Sequence, residues 1–294
     1  MKKIVSILFY PLFLALAACG PIWDDLSDCP PSANTLLTFS YTGDTNDPEM
    51  FARMVDHVTL MVYGEDGNKV VERTIDKNEL NKTQGTSLKL EPGNYRAICW
   101  GNANEHTQIT GSETLTTGRL HNPAFTLGSE ITTNSHLYYG VYEFTVPADG
   151  TVQGDVPFRG AHINIEVYIR SGEAAGSGFT VTAHNLMPQY NLGMGATRPF
   201  TTSYYPQMGY NAEKKLDACL FQTLRFDDNN PVVIEVREPS GALIRIDLRQ
   251  YMADNDITVD GKNEATVPIL LEYTDLGVTI KIPEWLSHNV TPGQ

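Results

Sequence analysis

Hydrophobic and polar residues alternate along most of this chain with the two-residue period of β-strands. The clearest case is the alternating apolar set Ile163, Ile165, Val167 and Ile169. Alternation of this kind is typical of antiparallel strands that bury one face and expose the other. Further segments with strand character occur at 36–41, 58–63, 69–75, 95–100, 138–146, 232–236, 242–248 and 278–282.

Turn signals separate these segments, and helix signals are rare. Pro92-Gly93 fixes a tight turn, because Pro presets its backbone angle and Gly tolerates the positive φ that follows. Only 49–57 and 249–255 have a helical pattern. A polar, glycine-containing stretch at 147–155 divides the strands into two groups. We therefore predict an all-β protein with two tandem antiparallel β-sandwich domains, at 35–154 and 155–294.

The charge balance excludes some classes of binding partner. The 294 residues include 21 Lys and Arg against 35 Asp and Glu, for a formal net charge of −14. Phosphate contacts need basic residues, so this balance argues against a nucleic-acid partner. The same charge repels anionic lipid headgroups, so membrane attachment has to be hydrophobic or covalent.

The N-terminus predicts a covalent attachment. Lys2 and Lys3 precede a short apolar run at 4–17, which is typical of a secretory signal rather than a membrane anchor. Leu16-Ala17-Ala18-Cys19 then matches a bacterial lipobox at every position. We expect cleavage after residue 18 and acylation of Cys19, followed by an acidic lipidated tether at 19–34. Two or three acyl chains hold a protein on a membrane essentially permanently.

Three cysteines remain after lipidation. Cys29, Cys99 and Cys219 allow one disulfide with one thiol left over, in three pairings. We favour Cys29 with Cys99, because both lie in or next to the first predicted domain. The alternative is three buried thiols that act as small hydrophobic residues.

The sequence gives little sign of catalytic chemistry. The motifs of hydrolases, nucleotide-binding loops and zinc proteases do not occur in it. His162 lies on the polar face of a strand and is interpreted as a solvated or hydrogen-bonded histidine. We therefore name no catalytic residue, cofactor or metal site, and we predict that the protein is not an enzyme.

One family matches the motifs. The segment at 19–30, with its lipobox cysteine and spaced Cys29-Pro30, and the later Pro92-Gly93-Asn94-Tyr95 and Trp100-Gly101-Asn102 resemble the fimbrillin-A-associated anchor lipoproteins. These are the FimB-type fimbrial subunits of Bacteroides-like bacteria. The resemblance implies two transthyretin-like domains and an outer-membrane, surface-exposed protein that tethers the base of a fimbria and limits its length, or an accessory subunit.

The resemblance also implies a fimbrial stalk subunit as partner, bound by β-strand addition. Stalk subunits of such fimbriae lose an N-terminal strand to an Arg- or Lys-specific protease. Here no Arg or Lys occurs between Cys19 and Arg53. We therefore expect the first strand to stay in place and the protein to stay on its lipid.

A second interpretation is a surface lipoprotein that binds glycans or host molecules independently of any fibre. Aromatic faces suit sugar rings. The candidate partner surface is a tyrosine-rich segment that contains Tyr190, Tyr204, Tyr205 and Tyr210. A long loop that packs on its own sandwich explains the same segment equally well.

Overall fold

Nineteen strands and four short helices make up the part of the chain that the computed structural model describes, which is residues 33–172, 178–197 and 199–286. The first nine strands are β1 (Thr35–Ser40), β2 (Val58–Gly64), β3 (Lys69–Ile75), β4 (Gly85–Leu88), β5 (Gly93–Gly101), β6 (Gln108–Thr110), β7 (Arg119–His121), β8 (Tyr138–Val146) and β9 (Val152–Gly160). The others are β10 (His162–Arg170), β11 (Thr180–Leu186), β12 (Gln189–Asn191), β13 (Thr202–Tyr204), β14 (Gly209–Asn211), β15 (Leu216–Leu224), β16 (Val233–Arg237), β17 (Leu243–Asp247), β18 (Thr266–Thr274) and β19 (Gly277–Lys281).

The helices connect strands and have five to seven residues each. They are α1 (Met50–Met54), α2 (Lys77–Thr83), α3 (Pro123–Leu127) and α4 (Leu248–Asp254). Within the described ranges, no helix is long and apolar enough to cross a membrane. The sequence pattern predicted α1 and α4 and missed α2 and α3.

Residues 33–160, here called the first half, form one seven-stranded sheet that bends over its own core. The strand order is β3-β2-β5-β8-β9-β1-β4. The bend lies in β9, whose last three residues pair with the start of β8 while Val152–Pro157 run parallel to β1. The two layers enclose a buried core that includes Leu37, Phe39, Leu60, Cys99, Tyr138 and Phe158.

Helix α2 bridges the two edges of this bent sheet, β3 and β4. Its first turn is fixed by a capping box, in which the Asp76 carboxylate accepts from the N–H of Glu79 and the Glu79 carboxylate accepts from the N–H of Asp76. Arg73 on β3 then donates to Glu79 at 2.6 Å and to the hydroxyl of Thr86 on β4 at 2.8 Å. Side chains thus join the two edges.

Residues 161–286, the second half, form a sandwich of two sheets. One has the order β14-β15-β10-β18-β19 and the other the order β13-β11-β16-β17. The core between them includes Ile165, Val167, Phe221, Ile234, Val236 and Ile269. As in the first half, the initial strand runs parallel to a strand near the end, here β10 with β18.

The predicted all-β sandwich class is confirmed, with one correction. Each half contains a parallel pair, β1 with β9 and β10 with β18, so the sheets are not purely antiparallel. The predicted domain boundary at 154/155 falls inside β9, which pairs along its length with strands of the first half. The transthyretin-like description stays a prediction.

A third hydrophobic cluster lies where the halves meet. It contains Trp100 and Tyr139 from the first half together with Tyr190 and Leu192 from the second. Strand β12 of the second half pairs with β7 of the first, which completes the small sheet β12-β7-β6. By their contacts, the described residues of both halves belong to one compact unit.

Candidate functional site

The edge strand β19 presents an exposed apolar face. It pairs with β18 on one side, and among the described strands nothing pairs with its other side. Leu276, in the turn before it, is 100% exposed, and Val278 and Ile280 are 37% and 36% exposed. The three residues alternate along the chain, so their side chains are suited to contact a single extended partner.

The register of the hairpin explains why this face is apolar. Val278 lies opposite Tyr273, and Ile280 lies opposite the fully buried Leu271. Side chains directly opposite each other in a sheet point to the same face. Val278 and Ile280 therefore continue the row of side chains that faces the core, at a position where they remain over one-third exposed.

Ion pairs fix β19 in place from the opposite face. Glu272 on β18 accepts hydrogen bonds from Lys281 and Arg170, both at 2.6 Å. These bonds, from Lys281 first and then Arg170, hold the pKa of Glu272 below its usual range, and the same contact with Glu272 raises the pKa of Lys281. Lys281 also pairs with Glu284 at 2.7 Å, just beyond the end of the strand.

Trp285, which follows the end of β19 in the chain, packs on the outer face of the sheet. Its ring meets that of Tyr168 edge-on at 5.3 Å, and the ammonium of Lys214 lies 4.4 Å from its centroid. The guanidinium of Arg170 lies 5.8 Å from the same centroid. These contacts combine cation–π attraction with burial of apolar surface. The segment that follows β19 is thus held back onto the body of the protein.

The other sheet edges are shorter, charged or bridged. Strands β13 and β14 have three residues each, and β3 and β4 are joined through α2. Strand β17 is as long as β19 but carries Arg245 and Asp247, and charged side chains discourage strand pairing at an edge. Among the described edges, β19 best fits a partner strand.

The predicted tyrosine surface needs correction. Tyr190 and Tyr204 are each 1% exposed, so they cannot form part of a partner surface. The ring of Tyr190 stacks on Trp100, and the hydroxyl of Tyr204 accepts from the side-chain amide of Asn134. Burial of large rings with a hydrogen-bonded hydroxyl is typical of core tyrosines. Both residues belong to the packing between the halves.

The remaining two tyrosines are exposed, but the strands next to them or containing them belong to different sheets. Tyr205 directly follows β13, and Tyr210 lies in β14. Each is 40% exposed. Their use as a partner surface stays a prediction, now for two separate positions.

Two of the four cysteines lie within the described residues. Cys19 and Cys29 lie outside the described residues, so lipidation and the Cys29–Cys99 pairing stay predictions. Cys99 and Cys219 are buried in the two cores, and neither forms a disulfide with another residue in the part of the chain that the structure describes. Burial raises the pKa of both thiols, that of Cys219 to about 12. Both lie among the apolar side chains of their cores.

His162 is hydrogen-bonded, as predicted, but it is buried rather than solvated. It is 1% exposed, and its Nδ1 lies 3.0 Å from the carbonyl oxygen of Leu137. The described residues contain no group of three or more His, Cys, Asp or Glu side chains that could hold a metal ion.

Sequence reasoning did not single out Leu276, Val278 and Ile280. The alternation at 278–282 predicted a strand, but the pattern alone does not tell a central strand from an edge. One signal was available, since Leu276 stands between Asp275 and Gly277 in a turn, where a polar residue is usual. An apolar residue in such a turn indicates an exposed contact point.

Family membership is decided by residues 26–291, which match the model of the family described as "Fimbrillin-A associated anchor proteins Mfa1 and Mfa2". The chain belongs to this family. The resemblance predicted from the sequence is thereby confirmed. Membership places the protein among fimbrial structural proteins of the cell surface.

Solved structures share the fold at low sequence identity. A proposed adhesin from Bacteroides thetaiotaomicron aligns with a TM-score of 0.70 and 20% identity, covering 88% of this chain and 98% of the other. The fimbrial anchor protein Mfa2 from Porphyromonas gingivalis aligns with a TM-score of 0.59 and 18% identity, covering 84% and 94%. A proposed adhesin from Bacteroides ovatus gives 0.70 and 15%, covering 88% and 95%. No curated protein sequence matches the chain.

Proposed function

We propose that this protein is the anchor subunit of a fimbria. It is a lipoprotein that holds the base of the fibre to the outer membrane through acylated Cys19 and limits the length of the fibre. It binds the first stalk subunit by β-strand addition at β19. The acyl chains supply the hydrophobic attachment that an acidic protein needs on an anionic membrane.

The apolar edge of β19, with which no described strand other than β18 pairs, is the observation that carries this proposal. Strand addition draws its affinity from main-chain hydrogen bonds at an unpaired edge and its specificity from alternating side chains. Strand β19 offers both, with Leu276, Val278 and Ile280 along one face. Proteins that avoid such pairing place charges or prolines along an edge, and the charged residue of β19 is at its end, Lys281.

The intact first strand fits an anchor rather than a stalk subunit. Strand β1 lies between β9 and β4 and contributes the buried residues Leu37 and Phe39 to the core. The first basic residue after Cys19 is Arg53, which lies in α1 beyond β1. We infer that the protein keeps β1 and its covalent connection to the lipid. The intact mass of the protein extracted from native cells tests this, since cleavage at Arg53 would overturn it.

Charge substitutions at the edge test the binding site. We expect Val278→Lys and Ile280→Lys to abolish co-purification of the protein with fimbriae from its native host, because lysine is costly to bury against a partner strand. Thr279→Lys is the matched control, since it lies in the same strand on the opposite face. Co-purification that survives both apolar-face substitutions would overturn strand addition at β19.

Deletion of the gene tests the anchor role itself. Cells without the protein are expected to shed their fibres into the medium or to carry abnormally long ones, and a Cys19→Ala variant is expected to do the same. Fibres that stay attached at normal length would overturn the anchor proposal. The independent glycan- or host-binding lipoprotein would then be the better interpretation.

A further inference from the structure

Two segments cross between the halves in opposite directions. Residues 131–134 leave the first half and pack on the second, and they are here called the first strap. Residues 187–197 leave the second half and pack on the first, and they are called the second strap. The main-chain connection between the halves is short, because Ala161 alone separates β9 from β10.

The first strap places an apolar residue of the first half in the core of the second. Ile131 is 2% exposed and belongs to the hydrophobic cluster between the two sheets of the second half. It forms a parallel bridge with Tyr204, and the N–H of Tyr205 donates to its carbonyl oxygen at 2.7 Å. The strap therefore extends the sheet edge at β13.

Polar contacts hold the next residues of the same strap, Thr133 and Asn134, against β15. The N–H of Asn134 donates to the carbonyl oxygen of Gln222 at 2.9 Å. The N–H of Gln222 donates in return to the hydroxyl of Thr133, also at 2.9 Å. Buried hydrogen bonds of this kind cost free energy to break, because the separated groups lose their partners.

The second strap is bound to the first half by main-chain pairing and by stacking. Its residues Gln189–Asn191 form β12, which pairs with β7. Tyr190 stacks on Trp100 with ring centroids 5.8 Å apart, and the indole N–H of Trp100 donates to the carbonyl oxygen of Leu192 at 3.3 Å. The strap thus covers the outer face of β5.

The fit of the second strap is close on both sides. A Cβ at Gly118 would lie 2.2 Å from Cδ1 of Leu192, so a residue without a side chain is needed there. The hydroxyl of Tyr190 accepts from the N–H of Arg225 at 2.6 Å and donates to the carbonyl oxygen of Ala161 at 3.2 Å. One side chain therefore joins the strap, the connection between the halves and the residue that follows β15.

Separation of the halves would require both straps to be pulled out together. Each strap is rooted in one half and buried in the other, so no rotation about Ala161 leaves both in place. We propose that the two straps make the two halves a single mechanical unit, which neither hinges nor unfolds half by half when the chain is pulled between its two ends. The mechanical behaviour follows from the strap contacts alone. The proposed anchor function is needed only to explain why the protein would be under tension.

Single-molecule stretching of the purified protein tests this directly. The chain from Cys19 to Gln294, which contains the whole compact unit, is held at its two ends and extended. We expect one unfolding step that releases about 80–90 nm, from 3.3–3.6 Å per residue. Two steps of about 40–45 nm each, one for each half, would overturn the proposal. The result does not depend on any fimbrial partner.

Strap variants extend the test. Ile131→Ala combined with Leu192→Ala loosens both straps, and we expect it to split the single step into two. Ile234→Ala is the matched control, since this residue is fully buried in the second core and lies in β16, which pairs with β11 and β17 rather than with either strap. We expect the control to lower the unfolding force and keep one step. A single step in the double strap variant would overturn the assigned role of the straps.

Discussion

The imidazole rings of His162 and His136 meet edge to face, with centroids 5.0 Å apart and planes at 74°. His162 is buried, and its Nδ1 lies 3.0 Å from the carbonyl oxygen of Leu137. A carbonyl oxygen can only accept, so Nδ1 carries the proton and the neutral ring has none on Nε2. Burial, followed by smaller contributions from the nearby His136 and Arg225, lowers the pKa of His162 to about 4.

This pair makes stability depend on pH in a defined window. The unfolded chain binds a proton at His162 as the pH falls below about 6.5, whereas the folded protein does not until about pH 4. The stabilisation is therefore complete above pH 6.5 and is lost as the pH falls towards 4. We expect the free energy of unfolding to decrease by about 2 kcal/mol from pH 7 to pH 5 through this residue. Burial lowers the pKa of His136 as well, which acts in the same direction.

Urea unfolding at pH 7, 6 and 5 measures this effect, with His162→Asn as the comparison. Asparagine keeps a donor for the carbonyl oxygen of Leu137 but does not titrate. Most of the pH dependence between 7 and 5 should disappear in this variant. An unchanged pH dependence would mean that other groups cause it.

The hydroxyl of Tyr190 can be removed while its ring stays in place. In Tyr190→Phe, the N–H of Arg225 loses an acceptor and the carbonyl oxygen of Ala161 loses a donor, both in a buried region. We expect the free energy of unfolding to fall by about 1–3 kcal/mol. Tyr210→Phe, at an exposed position, should change it by less than about 0.5 kcal/mol. Chemical denaturation of the two variants side by side provides the measurement, and equal effects would contradict the assigned hydrogen bonds.

Trp285 is expected to control the mobility of β19. Its ring covers Tyr168 and lies next to Lys214, while the indole Nε1 is buried and has no hydrogen-bond partner among the described residues. We expect Trp285→Ala to speed amide hydrogen exchange in β19 while exchange in β10 stays slow. Leu276→Ala, at a fully exposed residue, should leave both unchanged. Equal exchange in β19 with and without Trp285 would show that the ion pairs of Glu272 hold the strand unaided.

The strands were predictable because their alternation is a local property. The pattern at 163–169 gives β10 and its buried face directly, and the hairpin of β2 and β3 follows from two alternating segments around a short turn. Helix α2 left a weaker local signal, since Asp76 and Glu79 have the spacing of a capping box. The hydrophobic pattern did not show it, because Leu80 is the single apolar residue among its seven and no apolar stripe marks a helix face.

The contacts between the halves were not predictable in the same way. Residues 129–137 show no regular alternation of apolar and polar side chains. Ile131 faces a core, while its neighbours make polar contacts with another part of the chain. Tyr190 and Tyr204 suggested a surface by their residue type, yet both are buried. Residue type does not distinguish them, because tyrosine occurs both on exposed binding surfaces and in the packing between parts of a protein. The exposed face of β19 depends on which strand ends the sheet, and only the topology decides that.

The two buried thiols should be inert in the folded protein. The thiolate is the reactive form of cysteine, and burial raises the pKa of Cys219 to about 12 and that of Cys99 well above its ordinary value. We expect neither to react measurably with iodoacetamide at pH 8 until the protein is denatured. The same experiment tests the predicted pairing, because a Cys99 bonded to Cys29 stays unlabelled in denaturant until a reductant is added. Labelling of Cys99 in denaturant without reductant would rule out that disulfide and leave the packing role of this residue in the first core.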